Sequence, residues 1–261
     1  MTALAYVARR VGPPEILVFI AAAWVLAVVA QQAGASGTVR HGELIEGGLP
    51  LWFALALFLL AWQAMIAAMM LPSSLPFIRL FGRASSGQPR SGMAMAAFLG
   101  GYAAVWTWFG ASAFLGDIVI HELVHRSTWL EQRTWIIAGG VLALAGAFQF
   151  SSLKSACLRE CRNPAAYLLR HYRRGVPEAF RIGYGHGLYC LGCCWALMLL
   201  GFAVGVASLP WMALLTLVMV FEKTGRGGDR GVRPIGVALL TLAALVLVFP
   251  GAAPMLGFES V

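Results

Sequence analysis

Charge is what this sequence has least of. Only 11% of its 261 residues are Asp, Glu, Lys or Arg, where a soluble domain carries about 25%. The shortage is uneven, with 11 acids against 19 bases and a net charge of +8. Too little polar surface remains for a water-soluble globule of this length. Also missing are the weakly alternating ~10-residue segments of a membrane β-barrel, any internal repeat of the kind that builds inverted-repeat transporters, and any low-complexity tract. There is no Cys-x-x-Cys-His signal, which disfavours covalent haem. Cysteine is scarce too: there are five, and none lies outside 157–194.

What is present is apolar. Residues of hydrophobic type make up 60% of the chain and the mean hydropathy is +0.78. Several runs reach or approach the ~20 residues that cross ~30 Å of hydrocarbon. They do not alternate, so the spans are helical. The fold class is all-α, a polytopic membrane helix bundle in one domain, 1–261, with about seven transmembrane helices. The expected spans are Glu15–Gln31, Leu49–Leu71, Met93–Val119, Thr134–Phe150, Gly187–Val206, a short Trp211–Phe221, and Pro234–Phe249. The second is read as ended by Pro72 and Pro76, because an interior proline removes a helix hydrogen bond. The first, with Arg9-Arg10 before it and Ala33-Gly34-Ala35 after it, also resembles a cleavable signal peptide, which would leave six spans.

Lys and Arg set the orientation. With these spans, sixteen of the nineteen fall on one side, and Arg40, Arg126 and Arg133 on the other. Basic loops stay cytoplasmic, so the N-terminus is expected in the cytoplasm, the C-terminus outside, and the chain in a bacterial inner membrane. In this setting the positive charge meets anionic lipid rather than nucleic acid. The longest cytoplasmic loop, 151–185, carries a short basic helix, Ala165–Arg174, expected to lie flat on the leaflet.

All five cysteines then sit at the cytoplasmic ends of spans four and five. The cytosol is reducing, so structural disulfides are not expected. At 100° per residue, His186, Cys190, Cys193 and Cys194 share an arc of about 100°. Cys157 and Cys161, four apart, share a helical face as well. Four sulfurs and an imidazole suit a soft or borderline metal: Cu(I), Zn(II) or an iron–sulfur cluster. Lys154, Arg159 and Arg162 stand near enough to offset thiolate charge. The competing reading is packing, in which Gly183, Gly185, Gly187 and Gly192 with the small thiols let helices approach closely.

Other donors fall on the same side. Met65 and Met69, one turn apart with Trp62 a turn earlier and Met70 alongside, are thioethers suited to Cu(I). Glu222, beside Lys223 at the end of span six, reads as part of an interfacial ion pair or, with Lys154, as a flank of the metal. On the outer side Asp117, His121 and His125 form a second candidate site. His121-Glu-Leu-Val-His125 matches the zinc-protease pattern, and the same residues suit an outer metal-entry point or a hydrated loop.

Trp62-Gln-Ala-Met-Ile-Ala-Ala-Met-Met-Leu-Pro72, Gly101-Tyr-Ala-Ala-Val-Trp106, Leu153-Lys-Ser-Ala-Cys-Leu-Arg-Glu-Cys-Arg-Asn-Pro164, Gly187-Leu-Tyr-Cys-Leu-Gly-Cys-Cys-Trp-Ala-Leu-Met198, and Trp211-Met with Glu222-Lys223 resemble the motif set of a bacterial family of predicted metal-binding integral membrane proteins, otherwise a domain of unknown function. The resemblance covers about Leu49–Lys223. It departs where the family has Tyr-Gln before a Pro-Leu-Lys segment and this chain has Phe148-Gln149 and Ser152. It implies metal binding and brings no reaction.

The function read from the sequence is therefore metal handling, with copper first and zinc second, and no catalytic set. A metal chaperone or a membrane subunit is the expected partner beside the bilayer. Two other classes stay open. One is a membrane thiol oxidoreductase or haem electron carrier, with His186 or His171 and a methionine as axial ligands. The other is a structural partner subunit in which the cysteines only pack.

Overall fold

The computed structural model describes residues 14–32, 50–133, 135–204, 208–256 and 258, and among them every regular element is a helix. In chain order these are α1 (Pro14–Gln32), α2 (Leu51–Ser85), α3 (Ser91–His125), α4 (Thr128–Glu131), α5 (Trp135–Phe148), α6 (Ser152–Arg162), α7 (Pro164–His171), α8 (Val176–Ala203), α9 (Leu209–Thr224), α10 (Gly228–Val248) and α11 (Ala252–Met255). Arg9, Arg10, Arg40 and the Ala33-Gly34-Ala35 segment of the signal-peptide alternative lie outside the described residues.

Five of these helices are long and apolar enough to cross a membrane, and a sixth span results if α5 and α6, bent by 63° at their junction, count as one. α9 is a full helix of 16 residues, about 24 Å long, below the usual spanning length. On the outside Phe19, Leu60, Trp108, Leu217 and Val248 are large, apolar and exposed, which is compatible with a multi-pass membrane protein. In water such flanks would mark an interaction surface.

The second span differs from its expected form. Pro72 and Pro76 lie inside α2, which runs 35 residues to Ser85. Pro72 has no N–H to give the carbonyl of Ala68. The Trp24 indole of α1 donates to that carbonyl instead, at 3.1 Å. The Ser73 hydroxyl caps Met70 O at 2.8 Å. Neighbours that satisfy the freed backbone let a helix pass through proline in lipid. The continuation puts Ser73, Ser74, Phe77 and Phe81 into the buried core.

α3 and α8 pack closely along glycine. A Cβ on Gly183 would run into the backbone carbonyl of Phe98, and one on Gly101 into that of Phe180. Across the α2–α3 seam, the Trp62 indole donates to Trp106 O at 2.9 Å and the Gln63 amide to Thr107 Oγ1 at 2.6 Å. The basic segments meet at one end of the bundle. The Tyr172 hydroxyl donates to Ala84 O at 2.6 Å, and Arg162 pairs with Asp229 at 3.7 Å.

The short basic helix ends three residues before the expected Arg174. It is α7, begun by Pro164, and its apolar face turns onto the protein. Tyr167 and Leu168 are buried, and the Tyr167 ring meets Phe77 edge-on at 5.4 Å and stacks on His171 at 4.5 Å. Burial lifts the Tyr167 hydroxyl to a pKa of about 12.

Candidate metal site

α8 carries Cys190, Cys193 and Cys194 along one face, as their i, i+3, i+4 spacing dictates. All three are buried. The Cys193 and Cys194 thiols both donate to the Cys190 carbonyl, at 3.1 and 2.8 Å. α6 lies across this face because Gly192 has no side chain: a Cβ there would stand 2.5 Å from the Cys157 sulfur. The glycine packing expected as a rival to metal chemistry is thus present as well, and it is what brings the thiols together.

The sulfurs fall into two pairs. Cys194 Sγ is 3.8 Å from Met70 Sδ, and Cys161 Sγ is 4.0 Å from Cys193 Sγ. Two sulfurs bound to one ion at about 2.3 Å and opened to about 110–120° stand about 3.8–4.0 Å apart. Both pairs therefore have the separation of sulfurs sharing a metal. Among the described residues no three His, Cys, Asp or Glu side chains form a metal cluster of their own, so a site at the first pair needs the thioether. That thioether belongs to Met70. Met65 and Met69 are buried in the same helix, but the sulfur that reaches a thiol is Met70's.

Charge enters the site from α9. Glu222 and Lys223 are both buried and do not pair with each other. About 100° apart on the helix, they part company. The Glu222 carboxylate takes the Lys154 ammonium at 2.7 Å, and Lys154 also donates to Cys193 O at 3.0 Å. The interfacial pair expected from adjacent Glu and Lys is replaced by an interior pair between α6 and α9, at 1% and 2% side-chain exposure. Lys223 points into the sulfurs. Its Nζ donates to Cys190 Sγ at 3.0 Å and Ser73 Oγ at 3.1 Å, with Cys194 Sγ at 3.9 Å and Met70 Sδ at 4.0 Å.

His186 is held apart from this cluster. It lies in an aromatic stack, 4.0 Å from the Phe77 ring and 5.6 Å from Tyr102. Its Nε2 is 3.3 Å from Ser74 Oγ, Ser74 donates to the Tyr102 hydroxyl at 3.4 Å, and that hydroxyl is 3.1 Å from Cys190 Sγ. The imidazole reaches the thiol through two hydroxyls. The haem reading finds no support in this packing, since His186 and His171 both lie against aromatic rings.

The outer residues sit on the far part of α3. His121 Nε2 is 3.7 Å from Asp117 Oδ2. Glu122, the base of a zinc-protease reading, is turned outward to Arg126 at 2.8 Å, both side chains exposed. The side chain of His125 lies outside the described residues.

Ser73, Tyr102 and Lys223 are the residues that sequence reasoning missed as parts of the site, and Met70, named beside Met65 and Met69, was not singled out from them. Tyr102, Met70 and Lys223 stood within family-like motifs, and Ser73 lies one turn after Met70 on α2, a signal hidden by reading Pro72 as a stop.

No curated protein and no solved structure matches the chain. A family model described as PpoB2, copper chaperone, matches residues 59–246. The match spans both sulfur pairs, Lys154, Glu222 and Lys223. Over most of its length, then, this chain belongs to the PpoB2 copper chaperone family.

Proposed function

We propose that this protein holds a cuprous ion as cargo in the membrane, between Cys190, Cys194 and Met70, and passes it toward the cytoplasmic face through Cys193 and Cys161. The observation that carries the reading is the buried thiol–thioether pair, Cys194 Sγ and Met70 Sδ at 3.8 Å, with the Cys190 sulfur sharing the same ammonium. Thiolates and thioethers together are the soft donors Cu(I) prefers. Cys193 directly precedes Cys194 in the chain and stands against Cys161, the one cysteine of the five that is partly exposed. Exchange of one sulfur ligand for the next carries the ion along this line without a change of oxidation state.

The charge count puts this exit at the cytoplasmic end of the bundle. A soluble copper acceptor or a membrane subunit would take the ion there. Asp117 and His121, on the other half of α3, fit an outer entry point. Cu(I) titration of the detergent-solubilised protein tests the reading. Replacement of Cys190 and Cys194 by Ser removes the tightest-bound copper, while Asp117→Asn leaves it. Equal copper content in the Ser variant contradicts the proposal.

The approach of Cys161 to Cys193 favours one second reading, a dithiol that cycles to a disulfide. A disulfide bond is about 2.05 Å long, so the 4.0 Å gap must close. A metal-free protein that exchanges disulfides with a thiol reagent through these two residues would support it.

A further inference from the structure

We infer that Lys223 makes the thiol site selective for a monovalent metal ion, by matching the one negative charge of a cuprous bis-thiolate. The inference rests on the copper site proposed above and concerns which charge that site accepts.

A buried charge is tolerated when an opposite charge lies close; without one the cost is several kcal/mol. Three charged side chains enter the sulfur cluster: Lys154, Glu222 and Lys223, at 0%, 2% and 6% exposure. Lys154 and Glu222 face each other at 2.7 Å and cancel. Lys223 has no carboxylate. Its four polar neighbours are Ser73 Oγ, Cys190 Sγ, Cys194 Sγ and Met70 Sδ, and of these only the two thiols can supply an anion. Whatever occupies the site must therefore bring a net charge of minus one.

Two thiolates with one cuprous ion carry that charge, and the ammonium cancels it. Two thiolates with a divalent ion are neutral and leave the ammonium unmatched. A third thiolate would restore the match for zinc, but the next thiol, Cys193, is not among the sulfurs bonded to the Lys223 ammonium and stands against Cys161 at 4.0 Å. The remaining nearby donor is the Met70 thioether, neutral and a poor partner for zinc, whose usual ligands are thiolate, imidazole and carboxylate. Geometry alone does not separate the two ions, since sulfurs 3.8 Å apart serve either. Charge separates them.

The test compares Ag(I), a stable monovalent probe for Cu(I), with Zn(II) in competition titrations of the full-length protein in detergent. The wild type is expected to bind Ag(I) far more tightly than Zn(II). Lys223→Met, with similar length and no charge, is expected to narrow that preference by at least tenfold, and Lys223→Arg to keep it. Lys223→Gln serves in place of Lys223→Met if the latter does not fold. An unchanged Ag(I)/Zn(II) ratio in the neutral variant overturns the inference, as does a wild type that binds Zn(II) as tightly as Ag(I), a result that needs no variant. Failure of the underlying site is distinguishable: Ag(I) binding would then survive Cys190→Ser with Cys194→Ser.

Discussion

The Lys223 ammonium donates to the Cys190 sulfur at 3.0 Å, in the middle of a bundle that keeps both from water. This contact joins α9 to α8, and around it the other sulfurs and hydroxyls are disposed. Ser73 and Met70 come from α2, Tyr102 from α3 and Cys194 from α8.

Removing half of the neighbouring pair is expected to be costly. Lys154→Met leaves the Glu222 carboxylate buried without its partner, and breaking a buried pair this way costs about 3–5 kcal/mol. Lys154→Met with Glu222→Leu removes both charges and is expected to recover most of that loss. Thermal unfolding of the three proteins in detergent checks the sign. Equal stability of Lys154→Met and wild type would contradict the interior pairing.

The proline in α2 gives a second prediction. Trp24→Phe leaves the Ala68 carbonyl without the indole donor that replaces the missing Pro72 N–H. An unsatisfied group of this kind costs about 1–3 kcal/mol. In a Pro72→Ala background the helix supplies its own N–H, and Trp24→Phe is expected to cost markedly less. Equal costs in the two backgrounds, measured by denaturation midpoints, would show that the indole does not serve this carbonyl.

Close approach of α3 and α8 gives a third. Gly183→Leu drives a side chain into the Phe98 backbone and is expected to abolish stable folding, or to lower the melting temperature strongly and separate Tyr102 from Cys190. Gly100→Ala, where open space surrounds the added carbon, is expected to stay within about 0.5 kcal/mol of wild type, as surface changes do. Thermal melts of both variants check this.

How much of this was legible in the sequence depended on what each residue's neighbours were taken to be. Cys190, Cys193 and Cys194 were placed on one face by helix spacing alone, and the structure has them so. His186 followed the same arithmetic but lies about a turn from Cys190, about 6 Å along the axis. There it meets Phe77, on the length of α2 that Pro72 was expected to end. Ser73, just past Pro72, was hidden by the same reading. Whether a proline stops a helix depends on a donor from elsewhere, here Trp24, which no local rule contains. Adjacent Glu222 and Lys223 read as one ion pair, because neither the bend between α5 and α6 nor the place it gives Lys154 can be seen in the sequence. The apolar side of α7 was visible as a pattern, but a pattern does not say whether lipid or Phe77 covers it.

The order of thiol reactivity is a fourth prediction. Cys161 is expected to label first with a small maleimide, since Cys157, Cys190, Cys193 and Cys194 are buried. With an impermeant reagent, labelling is expected only when the cytoplasmic face is open, as in inverted vesicles. Labelling of Cys161 from the outer face of intact cells would reverse the orientation drawn from the basic loops.

The most direct test of the central claim is X-ray absorption at the copper edge on the protein loaded with one Cu(I). The account predicts a first coordination sphere of sulfur alone, with one sulfur replaced or lost in Cys194→Ser and in Met70→Leu. A first sphere containing imidazole nitrogen, or one unchanged in both variants, would contradict it.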